Sequence, residues 1–155
     1  MKTRRIIVSL AILFIVLFLF HNVALAGMVA IRGNNVNMRS GPGLNHSVIW
    51  KLDNGFPLEI INRQGEWLNV RDFEGSTGWV SSRVTNSVPH MIVKTRQGSN
   101  QPINIRSGPG LENRIVAKAH HGVVFKTLEK KNDWVKVEHS QGVVGWVAGR
   151  LLWGF

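Results

Sequence analysis

Val36-Asn37-Met38-Arg39-Ser40-Gly41-Pro42-Gly43-Leu44 returns downstream as Ile103-Asn104-Ile105-Arg106-Ser107-Gly108-Pro109-Gly110-Leu111. The alignment that sets Val36 on Ile103 runs without insertion as far as Val84 on Leu151. Of those 49 aligned pairs 16 are identical, where ordinary residue usage gives roughly 3. Gly55, Trp67, Val70, Gly75, Gly78, Trp79, Val80 and Arg83 come back unchanged as Gly122, Trp134, Val137, Gly142, Gly145, Trp146, Val147 and Arg150. A repeat of this kind means one folded unit built twice.

Each copy is a series of short apolar runs cut by turn residues. In the first, Met28 to Ile31, Val36 to Arg39, Val48 to Leu52, Phe56 to Ile61, Trp67 to Arg71 and Thr77 to Val80 read as strands. Asn34-Asn35, Gly41-Pro42-Gly43, Asp53-Asn54-Gly55, Gly65-Glu66 and Glu74-Gly75 break them, and no helical period survives between such breakers. In the second copy the strands are Met91 to Lys94, Ile103 to Arg106, Ile115 to Ala119, Val123 to Glu129, Trp134 to Glu138 and Val143 to Val147. About 60 residues is close to the lower limit for an unaided core, so each all-β unit must close into a small barrel that buries its large aromatics.

The rest of the sequence sets address and chemistry. The 155 residues carry 19 Lys and Arg against 9 Asp and Glu, a formal charge of +10, and contain no Cys. Disulfides, thiolate zinc sites and a thiol nucleophile are thereby excluded. Lys2, Arg4 and Arg5 precede an apolar run from Ile6 to Phe20, and Ala24-Leu25-Ala26 follows. This is the pattern of an export signal cleaved after Ala26. Fifteen helical residues reach roughly 22 Å, short of the ~30 Å hydrocarbon core, which argues against a retained anchor. The organisation read from the sequence is a signal peptide over 1–26, one unit over 27–86 and a second over 87–155, exported to the periplasm or beyond. The mature charge is 16 − 9 = +7.

Asn-x-Arg-Ser-Gly-Pro-Gly, then a Gly-led strand, one Trp opening the next strand, and a closing Gly-Trp-Val together resemble the bacterial SH3-like domain, over nearly all of the mature chain. The resemblance implies five- to six-stranded barrels that serve as binding modules in the cell envelope, often attached to a peptidoglycan hydrolase and directing it to the wall. No catalytic domain accompanies the repeats in this sequence.

Candidate functional residues follow from chemistry and from differences between the copies. Arg39 and Ser40, with Arg106, could offer a guanidinium and backbone donors to a carboxylate or phosphate. The competing and favoured reading has the arginine bonding carbonyls within its own loop. Trp67, Trp79, Trp134 and Trp146 are expected in the barrel cores, with stacking on a ligand as the alternative. Trp50, whose counterpart is Ala117, is a tryptophan the barrel can omit. Regular alternation puts it on the side of Val48 and Leu52, and ligand recognition is the other reading. His46, His90, His120, His121 and His139 have no metal spacing and are expected in solvated turns. Ser40, His46 and Asp53 lack the setting of a hydrolase, and no carboxylate pair is marked as acid and base.

The candidate ligand-binding set is Arg39, Ser40, His46, Trp50, Trp67, Arg106 and Trp134, with no catalytic residue, metal or cofactor. A cleft between the two barrels is the expected site, because the connection Val84-Thr85-Asn86-Ser87-Val88-Pro89 is short and partly apolar. The expected partner is a cell-wall polymer or another exported protein, not nucleic acid, and the membrane is met only through the signal segment. The basic residues Lys126, Lys130, Lys131 and Lys136 of one hairpin suit anionic envelope material.

Overall fold

A computed structural model describes residues 27–155 apart from 97 and 99; the expected export signal over residues 1–26 lies outside them. The first unit contains β1 (Met28–Ile31), β2 (Val36–Arg39), β3 (Val48–Leu52), β4 (Pro57–Gln64), β5 (Trp67–Arg71), β6 (Thr77–Ser81), a 3-10 turn at Ser82–Val84 and β7 (Thr85–Asn86). The second repeats this with β8 (His90–Val93), β9 (Ile103–Arg106), β10 (Ile115–Ala119), β11 (Val124–Lys131), β12 (Trp134–Glu138), β13 (Val144–Ala148), a 3-10 turn at Gly149–Leu151 and β14 (Leu152–Gly154). The strand orders, β3-β2-β6-β5-β4-β1-β7 and β10-β9-β13-β12-β11-β8-β14, are the same order twice. The chain is all-β, with two tandem SH3-like units.

Alternation along the central strands builds each core. Leu68 and Val70 of β5 and Val80 of β6 turn inward with Leu58, Met38 and Ile31. In the second unit Val135, Val137 and Val147 do so around Phe125. Each side chain of this kind contributes about 1.5–3 kcal/mol on leaving water. Four bulges bend the sheets, placed alike in the two copies. Ile49 is the extra residue in β3 and Val116 in β10; Ile61 is extra in β4 and Leu128 in β11. A bulge bends a strand and increases its twist, which lets so short a sheet curl round a core.

The bulges account for Gly-Trp-Val. A Cβ on Gly78 would stand 2.8 Å from both Ile49 Cδ1 and Met38 Cγ, so the bulged residue lies where a side chain at 78 would go. Gly145 is placed the same way beneath Val116 and Ile105. At the β4–β5 turn Gly65 has φ of 59°, and its counterpart Asn132 keeps the left-handed conformation at 50°. Asn is among the few non-glycine residues that adopt it readily.

Three sequence expectations need correction. Strands β4 and β11 run on to Gln64 and Lys131, beyond the expected Ile61 and Glu129, because the hairpin ladder continues through polar residues that face solvent on both sides. The closing strands β7 and β14 went unread, since two or three residues are too few to show a period. The repeat also slips near its start. Between β1 and β2 the chain passes only from Ile31 to Val36, whereas between β8 and β9 it passes from Val93 to Ile103, so the second of these loops is the longer.

The two units touch. Phe73 packs edge-on to Phe56 at 6.0 Å and against the His121 ring at 5.1 Å. His121 Nε2 lies 3.1 Å from Glu74 Oε1, while the Thr95 N–H donates to Nδ1 at 3.2 Å. His121 is therefore an interface residue and not the solvated turn residue expected from the sequence. Gly55 adds a close approach, since a Cβ there would fall 2.6 Å from the His90 ring.

Candidate functional site

The Arg-Ser-Gly-Pro-Gly segments form loops clamped from inside. Arg39 Nη1 donates to the carbonyls of Leu44 at 3.2 Å and His46 at 2.8 Å. Arg106 Nη1 donates to Leu111 at 2.9 Å and Asn113 at 2.7 Å. The Ser40 N–H closes the first loop on the Ser47 carbonyl at 2.9 Å, and the His46 ring fills the space against Gly41, where a Cβ would approach it to 2.5 Å. These arrangements hold the loop tip away from the barrel. Replacing Arg39 with Ala strips the partners from two carbonyls, and unfolding in urea is expected to show a loss of about 1–3 kcal/mol. Arg39→Lys, which keeps the charge but not the fork, is expected to recover only part of it.

What the loops hold out is apolar. Leu44 is 79% exposed and its counterpart Leu111 is 72% exposed. Trp50 is 56% exposed on β3, the end strand of its sheet, beside exposed Val48 and Ile49. Trp50 shares a face with Leu52, as regular alternation places it, since Trp50, Lys51 and Leu52 pair with Met38, Asn37 and Val36 in unbroken register beyond the bulge at Ile49. On the end strand of the sheet Trp50 is nevertheless exposed while Leu52 is buried.

Trp67 and Trp134 are half-buried, not the core residues expected, and Trp79 is also half-buried; Trp146 is buried. At the first strand position after a two-residue turn, an indole has barrel on one side only. Trp134 lines a cleft of about 670 Å3 together with Leu111, Lys130, Asp133 and Arg150. The cleft thus brings the β9–β10 loop to the turn of the β11–β12 hairpin. Sequence reading named Trp134 and Arg106 but missed Leu111 and Arg150, which come from different elements. Leu111 could have been found as an apolar residue directly after Gly108-Pro109-Gly110 in the loop, where no core contact is expected.

Between the units a second cleft of about 410 Å3 is bounded by Asn54 of the first and by His90, Lys126, Glu138 and His139 on the side of the second. None of the seven sequence-derived candidates lines it. Ser40, His46 and Asp53 share no hydrogen bond among the described residues; Asp53 Oδ1 instead accepts the Asn35 N–H at 3.0 Å. Among the described residues no three His, Asp or Glu side chains stand together as a metal site, and no helix is long and apolar enough to cross a membrane.

Comparison with known proteins gives the same picture. The chain is 26% identical over 135 residues to a putative N-acetylmuramoyl-L-alanine amidase of Bacillus subtilis, YrvJ, a match covering 83% of this chain and 26% of that protein. It is 36% identical over 53 residues to a probable cell wall amidase of Staphylococcus epidermidis, LytH, covering 34% of this chain and 18% of that protein. The chain thus spans about a quarter or less of the curated relatives it matches. Among solved structures, NlpC2 from Trichomonas vaginalis aligns with 85% of this chain and 49% of its own at 14% identity and a TM-score of 0.37, too loose to bear on function. The bacterial SH3 domain model matches twice, over residues 32–86 and 99–154. Those spans take in most of the chain and cover each sheet apart from its first strand, β1 or β8, so this protein belongs to the bacterial SH3 domain family and holds two copies of the domain.

Proposed function

We propose that the protein is an exported, non-catalytic binding module of the cell envelope whose ligand is cell-wall polymer. The observation that carries this reading is the exposed apolar surface of the first barrel, Trp50 with Leu44. The second barrel folds with Ala117 in place of Trp50, so the tryptophan is free to serve a ligand. A flat aromatic beside a rigid loop is suited to stacking on sugar rings or peptide planes. The names of the curated relatives supply the wall as context. In this reading the shared stretch provides attachment, and the amidase activity those names state resides in the part of their length outside the match.

Trp50→Ala tests it. Because the side chain is exposed, stability is expected to change by less than about 0.5 kcal/mol. Retention on purified peptidoglycan in a co-sedimentation assay is expected to fall roughly tenfold, as for an anchoring aromatic. Unchanged retention by a folded variant removes Trp50 from the site.

The outer edge of β3 favours a second reading, an adaptor that binds another exported protein by strand addition. There Val48, Ile49 and Trp50 are exposed along an unpaired strand edge. Capture of one defined envelope protein, lost in Trp50→Ala and accompanied by no sedimentation with the wall at low salt, decides for the adaptor.

A further inference from the structure

The two barrels repeat one side-chain pair with a single difference. In the first, Arg83 Nε and Nη2 both donate to Glu66 Oε1, at 3.0 and 2.7 Å. The counterparts in the second copy are Arg150 and Asp133, whose carboxylate is one methylene shorter. Arg150 has neither an ion pair nor a hydrogen bond among the described residues. Arg150 lines instead the cleft of about 670 Å3 with Trp134 and Leu111, a volume in the range of pockets that take small ligands.

From this we infer that the second barrel carries a carboxylate-binding site formed by Arg150, with Trp134 and Leu111 receiving the apolar group next to the anion. The inference rests on the wall-binding reading and deepens it by adding, to the Trp50 surface of the first barrel, a second contact in the other copy with a named ligand group. A planar guanidinium matches a carboxylate through two parallel N–H donors. Lys130, the other cation of the cleft, already has its ammonium on the Phe155 carbonyl at 2.6 Å, which leaves Arg150 as the cation open to a ligand there. Asp133 on the rim limits the net positive charge, which favours a single carboxylate over a more highly charged phosphate. The matching ligand is a short peptide with a free carboxylate beside an apolar side chain, as uncrosslinked wall peptides present. In the first barrel Glu66 occupies the same guanidinium and supplies the anion from within.

The test uses the whole chain and purified sacculi in three forms: untreated, amidated at their carboxyl groups with carbodiimide and ammonia, and stripped of phosphodiesters with hydrofluoric acid. Amidation is expected to lower affinity roughly tenfold, about the worth of one charge-assisted contact, and phosphate removal is expected to leave it unchanged. Arg150→Gln is expected to reproduce the tenfold loss on untreated sacculi, and Arg83→Gln to stay within about twofold of wild type. Asp133→Glu restores the reach of Glu66 and is expected to cost roughly two- to fivefold, the range of an exposed ion pair. Equal binding to amidated and untreated sacculi, or loss on phosphate removal alone, overturns the carboxylate assignment while leaving wall binding intact. If wild type fails to sediment with any sacculi, wall binding falls. The site is then decided by NMR titration with N-acetyl-alanyl-alanine: an Arg150 Nε–Hε shift absent with its amide supports the site, and none refutes it.

Discussion

Phe125→Ala is expected to unfold the second barrel while the first stays folded. Phe125 is 1% exposed and lies at the centre of a cluster with Val93, Val137 and Val147. Deleting a buried phenylalanine costs about 3–5 kcal/mol, the lost burial plus the cavity left behind. A unit of about 60 residues holds roughly 3–9 kcal/mol in total. The substitution therefore removes most or all of that margin. The first barrel has its own core around Leu58, which occupies the matching position, and meets the second through Phe73, Glu74 and Gly55 and through β4 against β8 and β14. Thermal unfolding followed by NMR is expected to show the amides of Val135, Val137 and Val147 lost at a temperature where those of Leu68, Val70 and Val80 persist. Simultaneous loss of both sets shows instead that the interface makes the pair one cooperative unit.

Gly145→Ala is expected to be nearly as damaging, by a different route. The added methyl would meet Ile105 Cγ2 at 2.6 Å, the Arg106 carbonyl oxygen at 2.8 Å and Val116 Cγ2 at 3.1 Å. The backbone oxygen cannot move without β9, which β13 holds through the Trp146 and Arg106 register. Overpacking of this kind costs about 1–3 kcal/mol, and the upper end applies where backbone obstructs. Gly78→Ala is expected to cost less, because its two nearest neighbours are side-chain atoms and the Arg39 carbonyl stands farther off at 3.1 Å. Paired urea unfolding curves for the two variants check the order; a larger loss for Gly78→Ala contradicts the assignment of strain to the β9 backbone.

How much of this was legible in the residues depended on whether the signal was local. The doubled Arg-Ser-Gly-Pro-Gly and Gly-Trp-Val revealed the repeat, and alternation in Trp67–Arg71 and Trp134–Glu138 placed those strands correctly because their inward residues are Leu68, Val70, Val135 and Val137. The bulges were not legible. An extra residue at Ile49 leaves no mark in a run of Val, Ile and Trp, yet it breaks the alternation between Val48 and Trp50. The contact of His121 with Phe73 and Glu74 joins the β5–β6 turn of the first barrel to the β10–β11 turn of the second, so its sequence neighbours suggested only a solvated position. The Arg150 cleft was hidden for a similar reason. Glu66 against Asp133 looks like a conservative pair, and only the paired state of Arg83 shows what the missing methylene does.

The central claim is that two SH3-like barrels hold the wall without cutting it. It is tested most directly by incubating pure protein with sacculi and measuring, in the same tubes, the bound fraction against concentration and the amino and reducing groups released into solution. Saturable binding at low salt is predicted, with release no greater than in protein-free controls. Release that grows with time and protein concentration, or no bound fraction at any salt, would contradict it.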